Sequence, residues 1–238
     1  ELHTLGVTGG YTQADVIALA HILTGWGLGR PRDGVNQGGF VFDAGRHDFG
    51  DKLFLGHVIR GSGMAEAEQA FDILARSPAT AKHLGFELAQ YFVADEPPPA
   101  LVDRLARRYL ETDGSIRAVL KTLFTAAEFR AAENIGNKFK TPYQFVVSAM
   151  RAADLPFSNF RPLYGMMAQL GEPLYGCQTP DGYKNTEAAW LNPDAMTRRL
   201  SFATALASGR QPLDRPPVVP PRLNPKRPEL AARMVKDE

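Results

Sequence analysis

At 238 residues the chain is long enough for one large domain or two small ones, and its 44% hydrophobic and 22% charged residues are those of a globular protein rather than a disordered one. A net charge of +1 removes the electrostatic argument for nucleic acid or an anionic membrane as partner, and no apolar run approaches the roughly 20 residues that cross a bilayer. A single cysteine, Cys177, excludes an internal disulfide framework and a cysteine-rich zinc site.

Residues 1–10 end in Thr-Gly-Gly and read as the tail of a helix and a turn. The first residue is Glu1 rather than methionine, so a targeting segment could have been cut away. Thr12 is a good N-cap for a helix that puts Val16, Leu19, Ala20 and Leu23 on one face, with His21 and Trp26 at its far end. Residues 27–39, rich in glycine, read as a surface loop. Residues 40–56 then read as paired strands: Phe40 and Phe42 alternate with polar or small neighbours, a long polar turn comes next, and Leu53, Leu55 and Val58 mark the return. A lone two-stranded hairpin is marginal in water, so this one must lie against helices.

From residue 64 the period is helical. Met64, Ala67, Phe71 and Leu74 form one stripe, and Ser77 with Pro78 stops that helix and starts another, which places Leu84, Leu88, Tyr91 and Phe92 inward. The run Asp-Glu-Pro-Pro-Pro breaks it. Leu101, Leu105 and Tyr109 mark the next helix, and Ile116, Val119, Leu120 and Leu123 the one after Asp113 and Gly114. Thr141 with Pro142 opens a helix carrying Phe145, Val146, Ala149, Met150 and Ala153; Leu163, Met166, Met167 and Leu170 mark a shorter one, ended by Gly171. Beyond a turn-rich loop, Asn192 with Pro193 starts a last helix to about Ala207. Residues 209–228 hold seven prolines and read as an extended arm, with a short helix over 229–236. The fold class is therefore mainly α: a multi-helix orthogonal bundle over residues 1–208, one small antiparallel hairpin, and a proline-rich arm over 209–238.

Several stretches carry a family likeness. LHTLGVTGGYTQADV with LTGW, HDFGDK at 47–52, SPATAKHL with LAQYFV, TDGSIRAVLKTLFTAAEF, KFKTPYQFVVSAMRA, and the LGEPLY to PDGY loop with Trp190 together resemble a bacterial family known as domain-of-unknown-function family 1800. The likeness covers about residues 2–208 in order. It implies no established reaction. It implies that this chain is the C-terminal part of a longer protein and that its place is periplasmic or extracellular, since members are often encoded with export signals. Tyr183 departs from the tryptophan expected after the glycine of that loop.

The densest polar cluster is Asp43, Arg46, His47, Asp48, Asp51 and Lys52. Imidazole beside carboxylate suits a divalent metal or acid–base work, which makes His47 and Asp48 candidate ligands; the opposing reading is that Arg46, Asp48 and Lys52 pair among themselves and fix the turn. His21 and His83, beside apolar helical faces, read as hydrogen-bonded core histidines. Cys177 has no neighbouring cation or base to lower its pKa, and no glycine-rich phosphate loop comes after a strand. Tyr175, Asp181, Tyr183, Lys184 and Trp190 form a mix suited to stacking on a sugar or gripping a partner chain, or to capping a helical core. Two functional classes stay open. One is a non-enzymatic binding or assembly module, its partner another polypeptide, including the N-terminal portion of its own precursor. The other is a metal-assisted hydrolase using His47 and Asp48, with Lys52 or Arg46 stabilising an anion and a further ligand from Asp181 or that N-terminal portion.

Overall fold

A computed structural model describes residues 1–29 and 38–214; the proline-rich arm beyond 214, with the helix expected at 229–236, and the middle of the glycine-rich loop lie outside the described residues. The protein is mainly α. Helix α1 (Gln13–Ile22) starts at Thr12, whose hydroxyl accepts from the Asp15 amide at 3.3 Å while the Asp15 carboxylate accepts from the Thr12 amide at 2.8 Å. Both orphan donors of the helix start are thereby satisfied. After α1 the chain forms β1 (Trp26–Leu28), β2 (Phe40–Phe42), a 3-10 turn (Ala44–Arg46), β3 (Lys52–Phe54) and β4 (His57–Ile59).

The strands pair differently from the sequence expectation. Phe40–Phe42 runs antiparallel to Trp26–Leu28, with Trp26 opposite Phe42, and Lys52–Phe54 pairs with His57–Ile59. Two short hairpins replace the single one expected over residues 40–56. The physical reason lies in the turns. Leu55 and Gly56 both have positive φ, 50° and 80°, so the chain reverses inside the second arm through a two-residue loop of the kind that matches strand twist. The Leu55 amide donates to Asp15 Oδ1 at 2.7 Å, which anchors that reversal to the start of α1.

The remaining helices are α2 (Met64–Ala75), α3 (Pro78–Phe92), α4 (Pro99–Glu111), α5 (Ile116–Thr125), α6 (Ala127–Arg130), α7 (Pro142–Ala153), α8 (Arg161–Gln169), α9 (Glu187–Trp190) and α10 (Pro193–Ala207). Among the described residues no helix is long and apolar enough to cross a membrane. Helix α3 turns inward only part of the face expected: Leu84 and Leu88 pack against the core, but Tyr91 and Phe92 are exposed, and Thr80, Ala81, Gly85 and Ala89 are the buried residues. Small residues win there because α4 comes close; a methyl group on Gly85 would stand 3.2 Å from the Val102 carbonyl and 3.3 Å from the Leu105 Cβ.

The chain divides into two compact units, Glu1–Phe139 with Gln178–Ala189, and Lys140–Cys177 with Trp190–Glu238. The first holds two cores. One gathers Leu5, Ile22, Phe54, Ile59, Ala67 and Leu74 around α1, α2 and the strands; the other gathers Val93, Leu101, Leu105, Val119 and Leu123 around α3, α4 and α5. In the second unit Val146, Met150, Leu163, Met167, Phe202, Leu206 and Leu213 form one core.

Candidate functional site

The polar cluster of residues 43–52 folds into a latch. Past the 3-10 turn, which Asp43 caps by accepting from the Gly45 amide at 3.0 Å, His47 turns its ring fully inward. Its Nδ1 donates to the Thr24 carbonyl at 2.7 Å and its Nε2 to Glu66 Oε1 at 2.8 Å. With an acceptor on each side both ring nitrogens must carry hydrogen. Burial by itself pulls the ring's pKa down, but the Thr24 carbonyl and then Glu66 outweigh it and hold the imidazole above the ordinary histidine value.

Glu66, fully buried at 0% exposure, is the hub. It stands in the first turn of α2, where a carboxylate meets free amides. It accepts from the Ser62 and Gly63 amides at 2.7 and 2.8 Å, from His47, and from Lys52 Nζ at 2.6 Å. Burial raises its pKa, and the hydrogen bonds from Lys52, His47 and the two amides overcome that, leaving it below the usual glutamate value. Lys52, buried, also donates to the Asp48 carbonyl.

Asp48 faces elsewhere. Its Oδ2 meets His21 Nδ1 at 2.7 Å and its Oδ1 accepts from the Gly50 amide at 2.8 Å; that amide and then His21 lower its pKa. The expected metal pair therefore does not converge, because the carboxylate bonded to the His47 ring is Glu66, already saturated by cations and amides. Among the described residues no three His, Cys, Asp or Glu side chains are grouped to hold a metal ion. Lys52 is held by Glu66 and the Asp48 carbonyl, whereas Arg46 is exposed and 3.8 Å from Asp43. His21 is exposed beside Asp48, not a core histidine, because the last turn of α1 faces the 47–50 loop. His83 is partly buried, and its Nε2 donates to the Leu2 carbonyl at 2.9 Å.

That bond helps to build a cleft of about 620 Å³ in the first unit, bounded by α3, residues 2–7 and the segment 181–186. The segment is held by Asp95 and Lys138. Lys138 donates to Asp95 and, at 2.7 Å, to the Asn185 carbonyl, while Asp95 Oδ2 accepts from the Glu187 amide at 2.6 Å. Asp181 and Tyr183 line the cleft with Lys184, which pairs with Asp181. Hydrogen bonds from Lys184 and then Thr179 pull the Asp181 carboxyl down to about 2. Trp190 belongs to the second unit and is buried there.

Among the described residues, two that line the cleft, Thr80 and Asn185, each hold a buried side-chain oxygen without a hydrogen-bond partner, Thr80 Oγ1 and Asn185 Oδ1. Leaving such a group unpaired costs about 1–3 kcal/mol. Sequence reasoning reaches none of these three residues, Thr80, Asn185 and Glu66. The glutamate three residues into a helix is a readable signal for Glu66; a threonine early in α3 and an asparagine in a loop carry none.

Comparison with curated proteins finds no match, and neither does comparison with solved structures. A family model does match, over residues 1–237, and it is described as a protein of unknown function, DUF1800. The chain belongs to that family.

Proposed function

We propose that the chain is a non-enzymatic binding module of an exported bacterial protein, and that it takes a segment of another polypeptide into the cleft along α3. One observation carries this: Thr80 and Asn185 line the same cleft, and each holds a buried side-chain oxygen, Thr80 Oγ1 and Asn185 Oδ1, without a hydrogen-bond partner among the described residues. An extended peptide offers what they need, since its amide hydrogen suits the Asn185 oxygen and its carbonyl suits the Thr80 hydroxyl. Phe86, Val7 and Tyr183 supply apolar and aromatic surface around those two polar points. Placement outside the cytoplasm belongs to the same reading and is checked by fractionating the native bacterium.

The test is Thr80→Val, which keeps the shape and removes the hydroxyl. The purified chain is screened against an immobilised array of random dodecapeptides, and affinities of the selected peptides are measured by calorimetry. Thr80→Val is expected to melt higher than the natural chain, by about 1 kcal/mol of stability, because an unpaired buried group has gone. It is also expected to bind the selected peptides about tenfold more weakly, the loss of one hydrogen bond to a buried partner. Selected peptides that bind both proteins equally, or an array that yields none, overturn the proposal.

A further inference from the structure

The second unit carries an apolar groove of about 490 Å³ between α7, α8 and the loop joining them. Val146 and Met167 line it from the core, and Phe157, Phe160 and Tyr164 line it with aromatic rings. Phe157 and Phe160 meet edge to face at 5.1 Å, and Phe160 stacks with Tyr164 at 6.4 Å. Phe160 and Tyr164 are 51% and 52% exposed, so this row of rings faces solvent. Contiguous exposed apolar surface of this kind marks an interaction site.

Charge identifies the occupant. The described lining of the groove holds two charged residues, Arg151 in the last turn of α7 and Asp154 at its C-cap. Three residues apart, they lie on one side of the helix end. They do not pair with each other, and among the described residues neither side chain has a hydrogen-bond or ion-pair partner. Asp154 stands in the left-handed region, φ 46° and ψ 41°, at a helix end whose carbonyl dipoles oppose a negative charge. A carboxylate there works against its own helix unless a cation from outside meets it.

A second copy of the chain supplies that cation. Across a two-fold axis the same patch lies on both sides, so that when residue i meets residue j, j also meets i. An unpaired arginine and an unpaired aspartate on one patch meet that condition by themselves, because each finds its opposite on the other copy. The exposed rings of one copy then enter the groove of the other.

We infer that two copies of the chain associate through this groove, with Arg151 of each paired to Asp154 of the other and with Phe160 and Tyr164 buried between them. This rests on the second unit alone and is independent of the cleft along α3.

The experiment is sedimentation equilibrium of the full chain over a range of concentrations, beside the variants Arg151→Glu and Asp154→Lys. The natural chain is expected to show a reversible equilibrium between one copy and two. Each charge reversal sets like charges against each other across the axis and is expected to weaken self-association at least about tenfold. In an equimolar mixture the two acidic groups of one variant face the two basic groups of the other, so the mixture is expected to associate within about threefold of the natural chain. That recovery also shows that both variants are folded. Phe160→Ser with Tyr164→Ser, at half-exposed positions, is expected to abolish self-association while thermal melts show a folded chain. A natural chain that stays monomeric at every concentration, its groove then left to some other occupant, overturns the proposal. So do charge-reversed variants that associate as the natural chain does, a mixture no tighter than either variant alone, self-association that survives loss of the two rings, or assemblies that grow beyond two copies.

Discussion

Glu66 is one carboxylate serving two cations, His47 and Lys52, in a place water does not reach. Replacing it with glutamine leaves both cations without a counter-charge, so Glu66→Gln is expected to lower stability by about 3–5 kcal/mol in urea titrations. The same network makes stability depend on pH from both sides. Glu66 has a depressed pKa when folded, so its contribution is present above the unfolded glutamate value, about 4.3, and is lost as pH falls through the folded value. His47 has a raised pKa when folded, so its contribution is full below the unfolded histidine value, about 6.5, and is lost as pH rises through the folded value. Thermal melts from pH 3 to pH 9 are therefore expected to peak between those limits. His47→Gln is expected to flatten the alkaline side; an unchanged alkaline slope would mean that the imidazole is not held as the cation.

At the scale of elements, much of the helical frame is legible in the sequence because its signals are local. Thr12, Ser77 with Pro78, Thr141 with Pro142 and Asn192 with Pro193 mark helix starts by side-chain chemistry that needs no tertiary partner. Strand pairing is not legible, because β2 reads the same whether its partner lies before or after it; the positive φ at Leu55 and Gly56 decides the matter. The inward face of α3 is legible at Leu84 and Leu88 and hidden in the rest for a related reason. Hydrophobic period favours Tyr91 and Phe92, while the close approach of α4 requires Gly85 and its small neighbours. The charged cluster is visible as a cluster, but its meaning depends on Thr24 and Glu66, whose distance along the chain hides the connection. Backbone contact sets a further limit beside it: a Cβ on Gly61 would lie 1.8 Å from the Phe49 carbonyl oxygen. Gly61→Ala is thus expected to force the 49–61 loops apart and cost about 1–3 kcal/mol, read as a lower midpoint in thermal denaturation.

On the scale of the molecule, the first unit is discontinuous in sequence, built from Glu1–Phe139 and Gln178–Ala189. Asp95 is the fastening of that returning segment, through Lys138 and the Glu187 amide. Asp95→Ala is expected to raise amide exchange over residues 181–187 and to weaken binding of the array-selected peptides, with exchange in α7 and α8 unchanged. Equal exchange over 181–187 in both proteins would show that the segment is held by other means.

The interleaving also sets a timetable for synthesis. When Phe139 has left the ribosome, the unit it belongs to still lacks its final strip, which arrives only with Ala189, about 50 residues later. At translation rates of roughly 5–20 residues per second that is an interval of several seconds. During it the cleft along α3 lacks the side that residues 181–186 supply, so the nascent chain passes through a state that a folding helper can engage before the cleft is complete.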